Sequence, residues 1–241
     1  MTNRTPQSVG GHTTTDVGLR NFMLGTYRYM MMAMAVTAAV AYFGGQYLTT
    51  NPPALGLLYN PITLIGFIIA IPLLFGAVGS KLPTMSLGGV LTFLFGFAAF
   101  MGVFMSVITL QFRVEVIAKI FFMTVALFGA LSFFGHTTER NLSAFAKYAF
   151  AAFFAYIAIN VLGMIFPSMA PTGTVEVVVS GIALLAISVI TAWETQMLKR
   201  IYYSVAGNAA MESKMAAYGA ASLLLAFVNM FQILLSLFGR D

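Results

Sequence analysis

Seven long apolar segments recur along the chain, near residues 26–48, 56–78, 86–110, 115–135, 145–166, 175–196 and 217–238. Each approaches or exceeds the roughly 20 residues that an α-helix needs to cross a bilayer core. Turn-forming and polar stretches punctuate them. "TTNPP" follows the first, "GSKLPT" the second, "QFRVE" the third, "GHTTERNLS" the fourth and "PSMAPTG" the fifth, while the longest polar interval, "KRIYYSVAGNAAMESK", separates the last two. Proline and glycine are natural breakers at such positions. A backbone in hydrocarbon must satisfy its own hydrogen bonds, so the segments are expected as helices. The short alternating segments of a barrel are absent. The pattern predicts an all-α membrane protein with seven transmembrane helices, in a domain spanning 20–241. Residues 1–19 are polar, rich in Thr and Gly, and lack the early apolar region of a secretory leader, so a flexible cytoplasmic tail is expected there.

Composition agrees and narrows the choice. Of 241 residues, 60% are hydrophobic and 8% charged, against about 25% charged in an average soluble domain. So few charges cannot coat a globular surface. The net charge of +5 is read as cations gathered on one membrane face and not as a nucleic-acid footprint. With the amino terminus cytoplasmic, Arg4, Arg20, Arg28, Lys81, Arg140, Lys147, Lys199, Arg200 and Lys214 fall inside, and Arg113, Lys119 and Arg240 outside. That bias follows the rule that cytoplasmic loops carry the excess of Lys and Arg.

Few residues are left for chemistry. The chain has no cysteine, which removes disulfides and thiolate metal sites. Its two histidines, His12 and His136, lie far apart. The zinc-protease motif H-E-x-x-H is absent, and the only aspartates, Asp16 and Asp241, sit at the two ends, so no acid–base pair for an aspartyl protease exists. No nucleophilic serine with a base and no phosphate-binding loop is visible. The expectation is a protein that is not an enzyme, with no catalytic residue, metal site or cofactor.

Glu194 stands out. It ends an uncharged run, Val177–Trp193, that barely crosses a bilayer core, and Lys199 and Arg200 follow within two turns. Two readings stay open: a carboxylate reaching water beside an interfacial Trp193, or a group held among the helices at a cost of a few kcal/mol unless protonated or paired. In the last span Ser222, Asn229 and Ser236 recur every seven residues, with Gln232 close by. They share one helical face, which points into a bundle and not at lipid. Interhelical hydrogen bonds worth about 1 kcal/mol each would account for them equally well. The methionines of "YMMMAMA" in the first span are expected as core filler or lipid contacts.

Three stretches together carry a resemblance. "FGALSFFGHTTERNLS" (Phe128–Ser143), "TAWETQMLKRIYY" (Thr191–Tyr203) and "GAASLLLAFVNMFQILLSLFGRD" are similar, in order and spacing, to the fourth-span ending, the sixth-span A-Y-D-T-Q signature and the seventh-span L-Y-L-D-F-I-N-L-F signature of the Bax inhibitor-1 family, in its bacterial branch. The likeness covers roughly residues 20–241. It implies a seven-helix bundle with the last helix near its centre, and a pH-sensitive calcium leak or a role in cell death and membrane stress. One bacterial branch instead restrains an ATP-dependent membrane protease. The family's proton sensor is a pair of aspartates. Here Glu194 matches the first and Ala226 the second, so the two-carboxylate arrangement, in which like acids share a proton, is incomplete. The family's latch arginine has no equivalent; Lys81 is the nearest cation, and the role is not carried over to it.

The resemblance thus implies a pH-linked calcium or other cation leak, or a role in ion homeostasis, with Glu194 and Asn229 as the ion- or proton-facing groups. Asn229 and a cation such as Lys199 are expected beside Glu194. The alternative is a non-conducting modulator that binds a membrane protease complex. The expected surroundings are the lipid bilayer of a bacterial inner membrane, with calcium, if any, as cargo.

Overall fold

In the computed structural model, residues 10–239 are described, with side chains from Val17 onward. Residues 1–9 of the expected tail, and Arg240 and Asp241, lie outside the described residues. The helices are α1 (Gly10–Thr50), α2 (Pro52–Leu58), α3 (Pro61–Lys81), α4 (Leu87–Met105), α5 (Ile108–Gln111), α6 (Val114–Thr137), α7 (Ser143–Ile165), α8 (Gly173–Val205) and α9 (Ala209–Phe238). Among the described residues there are no strands. Seven of the helices are long and apolar enough to cross a membrane, the third span running through α4 and α5.

Local chemistry sets the boundaries. Pro52 and Pro61 occupy first-turn positions, where the missing N–H costs nothing. The Asn60 side chain accepts from the Ile62 amide at 2.9 Å, and Ser86 accepts from Gly89 at 3.1 Å, each satisfying a first-turn donor that has no helical partner. Asn208 does the same for Met211 at 3.1 Å. Gly207, at φ +90°, turns the chain from α8 into α9 in the left-handed region that favours glycine.

Three boundaries differ from the sequence expectation. Helix α1 begins at Gly10, so residues 10–19 are helical, and Leu19, Phe22 and Met23 are buried. The interval Lys199–Lys214, read as a long polar loop, is mostly helix: α8 continues to Val205 and α9 starts at Ala209. The reason is tertiary packing. Tyr202 is 4% exposed, and its ring lies 5.5 Å from that of Phe22 on α1, so the end of α8 has an apolar neighbour where hydropathy alone saw a loop. "TTNPP" also leads into the short helix α2 and not straight into the second span.

Helix α9 packs on α1, α4, α6 and α8. In its most apolar window 61% of positions are buried, more than in any other span, against none in α3. Small side chains permit this approach. Ala217, Ala220 and Ala221 are wholly buried, and a Cβ added at Gly219 would lie 2.3 Å from Leu198 of α8. Helix α3 is joined to the rest through aromatic rings: Phe75 meets Phe93, Phe97 and Tyr218 edge-on, and the Tyr218 hydroxyl donates to the Phe75 carbonyl at 3.0 Å.

Candidate functional site

Helices α8 and α9 are joined by three residues, 206–208, and pack against each other, so they run antiparallel. Glu176 and Glu194 are eighteen residues apart on α8, about five turns and roughly 27 Å, and therefore share a face. Ser222, Asn229 and Ser236 share a face of α9. The two faces meet. The Ser222 hydroxyl donates to Glu194 Oε1 at 2.8 Å, and at the other end Ser236 lines a cavity with Ser180 and Glu176. Fourteen residues separate Ser222 from Ser236, and fourteen separate Ser180 from Glu194, so the two polar ends of the seam are in register.

The middle of the seam is apolar on the α8 side. Ala183, Ile187 and Ile190 are all buried. Asn229 lies two turns from Ser222 and so at the level of Ile187. The expected pairing of Glu194 with Asn229 is therefore absent: about 10 Å of helix rise separates Asn229 from Ser222, the residue that Glu194 binds. The expected pairing with Lys199 is absent too, because the Lys199 ammonium reaches the His136 carbonyl at 3.4 Å. Of the remaining predicted stripe, Gln232 is exposed, against the inward position expected of it, and its Nε2 donates to the Met105 sulfur at 3.6 Å. The structure thus brings Glu194 and Ser222 together and leaves Asn229, Gln232 and Ser236 at other levels of the same helix.

Glu194 as a whole is half-buried, but its second oxygen, Oε2, is buried and makes no hydrogen bond. Ser132 Oγ and His136 Nδ1 on α6 are in the same condition. These two residues flank Gly135, where a Cβ would sit 2.1 Å from the Ala192 carbonyl of α8. The unsatisfied atoms therefore belong to neighbouring turns around a close approach of α6 to α8. Folded proteins leave few buried polar atoms unpaired. Ala226, one turn along α9 from Ser222, is 2% exposed and offers no polar group. Among the described residues no three His, Cys, Asp or Glu side chains converge as a metal cage would require.

Sequence reasoning missed the busiest part of this end. Gln196 is 6% exposed. Its Oε1 accepts from the Leu142 amide at 3.0 Å and from Arg200 Nη2 at 2.8 Å, and its Nε2 donates to the Arg140 carbonyl at 2.8 Å and the Thr138 carbonyl at 3.4 Å. Arg200 also donates to Asn141 Oδ1 at 2.9 Å and to Ser143 Oγ at 3.2 Å, and Trp193 Nε1 to Ser143 Oγ at 3.3 Å. The stretch "AWETQ" thus faces two ways: Glu194 toward α9, and Trp193 and Gln196 toward the loop between α6 and α7. The available signal was a glutamine four residues before an arginine at a span end, with a polar loop of unfilled backbone groups elsewhere in the chain.

The chain matches the family model described as "Inhibitor of apoptosis-promoting Bax1" over residues 19–241. A protein of Caulobacter vibrioides is 29% identical over 243 residues, covering 95% of this chain and 92% of that one. "Inner membrane protein YbhL" of Escherichia coli is 31% identical over 226 residues, covering 92% and 93%. A protein of Rickettsia prowazekii, RP147, is 26% identical over 247 residues, covering 98% and 97%.

Proposed function

The chain belongs to the Bax inhibitor-1 family, and from that premise we propose that it is a cation leak of the inner membrane in which Glu194 is the group that meets the ion or the proton. The bilayer setting rests on seven membrane-crossing helices and on the inner-membrane name of a relative. The observation that carries the rest is the asymmetric state of Glu194: one oxygen held by Ser222, the other buried with no partner. An ionised carboxylate in such surroundings costs on the order of a few kcal/mol. A proton, or a cation entering the seam, supplies the missing partner and removes that cost. The excess of basic residues supports a cytoplasmic position for this end of the bundle, with Glu176 toward the opposite mouth. Between them Ala183, Ile187 and Ile190 close the seam, so the arrangement reads as a shut path.

The test is calcium uptake into liposomes holding purified protein, at two pH values, for the wild type and Glu194→Gln. The expected result is pH-dependent uptake in the wild type and pH-independent uptake in the variant. Uptake that keeps its full pH dependence in Glu194→Gln removes this residue from the mechanism.

A second reading, a non-conducting modulator bound to an ATP-dependent membrane protease complex, is favoured by one residue. Ala226 occupies the family's second acidic position and is buried, so the two-carboxylate sensor cannot form. Copurification from native membranes separates the readings. A stoichiometric protease partner, with no uptake by the purified protein, supports the modulator.

A further inference from the structure

Helices α1 and α6 both pack on α9 but make little contact with each other. A cavity of about 440 Å³ occupies the gap between them, with α9 and the α4–α5 segment as its other walls. We propose that this groove holds one acyl chain of a phospholipid from the leaflet on the side of the α5–α6 turn.

Shape, polarity and setting each select that occupant. On α1 the lining runs from Met34 to Thr49, which is roughly 22 Å of helix rise. Half of the hydrocarbon core is about 15 Å deep, so the groove begins at the interface and reaches the middle of the bilayer. The volume spread over that length gives a cross-section of about 20 Å², whereas a helix about 10 Å wide needs about 80 Å². The space therefore admits one extended chain and excludes a helix from a second copy or from another protein. In bulk it equals about fifteen waters at ~30 Å³ each, and a methylene has much the bulk of a water. Polarity grades along the groove. Gln46, Thr49 and Thr109 line the end where α1 stops, and Met34, Phe121 and Phe227 line the deep end. The Gln46 amide offers a donor to ester oxygens at the first, and an alkyl tail meets hydrocarbon and sulfur at the second. Water is a poor filler there, because a buried water needs two to four polar partners. Packed proteins leave few voids, and this one opens sideways: Ala38 is exposed, and Tyr42 and Val114 are 56% and 72% exposed at its lips. Lipid enters without any helix moving. Residues 240 and 241 reach at most ~7 Å, short of the roughly 12 Å of helix between Gly239 and Phe231. Residues 1–9 reach at most ~32 Å, short of the roughly 36 Å between Gly10 and Met34.

This groove does not depend on the leak reading, and its test reads lipid binding and not flux. The purified full chain in detergent micelles is titrated with palmitoyl-oleoyl phosphatidylglycerol, and the bound lipid is counted by native mass spectrometry. The expected result is saturation at one lipid per chain, with at least tenfold weaker binding in Ala38→Phe, which fills the groove. Val114→Trp, at the exposed lip, obstructs the entrance, is expected to weaken binding by a similar factor, and serves if the first variant does not fold. Ala151→Phe adds the same bulk to an exposed position of α7, outside the groove, and should bind as the wild type does. A statistical spread of bound lipids with no saturation at one overturns the proposal. So does equal binding in Ala38→Phe and Ala151→Phe, palmitate loading in place of the phospholipid, or a lipid-free dimer.

Discussion

Gln196→Ala isolates the contact between α8 and the loop that joins α6 to α7. The wild-type side chain satisfies the buried Leu142 amide, holds Arg200, and caps the Arg140 and Thr138 carbonyls. Truncation strands these groups unequally. Arg140 is exposed, so water replaces what its carbonyl loses. Leu142 is 8% exposed, and its amide has no substitute. A buried donor left unsatisfied costs about 1–3 kcal/mol. Taking ~2 kcal/mol for that one amide, local opening becomes roughly thirtyfold more frequent, since 1.4 kcal/mol is a factor of ten. The assay is hydrogen exchange of the Leu142 amide in micelles, with Gln196→Glu as the control. Glutamate keeps the acceptor for both Leu142 and Arg200 and loses only the donations to Arg140 and Thr138. Leu142 exchange should therefore rise about thirtyfold in Gln196→Ala and change less than about threefold in Gln196→Glu. If both variants exchange alike, or if neither differs from the wild type, Gln196 does not hold this loop.

Three other substitutions test the seam and its neighbours. Ser222→Ala removes the hydrogen bond that Ser222 donates to Glu194, a bond to a charged or chargeable group worth about 1.5–3 kcal/mol; a thermal unfolding midpoint unchanged from the wild type would count against the contact. Gly135→Val places a side chain where the Ala192 carbonyl already stands, and the overpacking should cost about 1–3 kcal/mol or more, read as a lower midpoint, whereas the same change at Gly129, which has open space around it, should be mild. Ile187→Ser wets the apolar middle of the seam and should raise cation uptake into liposomes above the wild-type rate; no rise would mean that Ile187 is not the barrier.

The architecture was legible because its cause is local. A run of apolar residues of bilayer length must become a helix wherever it lies in the chain, and so the seven spans and their order follow from the residues taken one segment at a time. The family signatures are local strings as well, which is why "TAWETQ" singled out Glu194 and the seventh-span string singled out Ala226. What each string touches is not local. Ser222, rather than Asn229, meets Glu194 because the short turn at Ala206–Asn208 and the close approach at Gly219 set the register of α9 on α8. Gln196 looked like an ordinary polar residue at a span end until the loop from Thr138 to Leu142, more than fifty residues earlier, supplied its partners. The same holds for α8 and α9 continuing beyond the apolar segments expected from the sequence, where Tyr202 finds Phe22 of α1. Hydropathy is a property of each residue and decides which segments enter lipid. Register, pairing and the stranded oxygen of Glu194 are properties of two surfaces brought together, and only the packed bundle decides them.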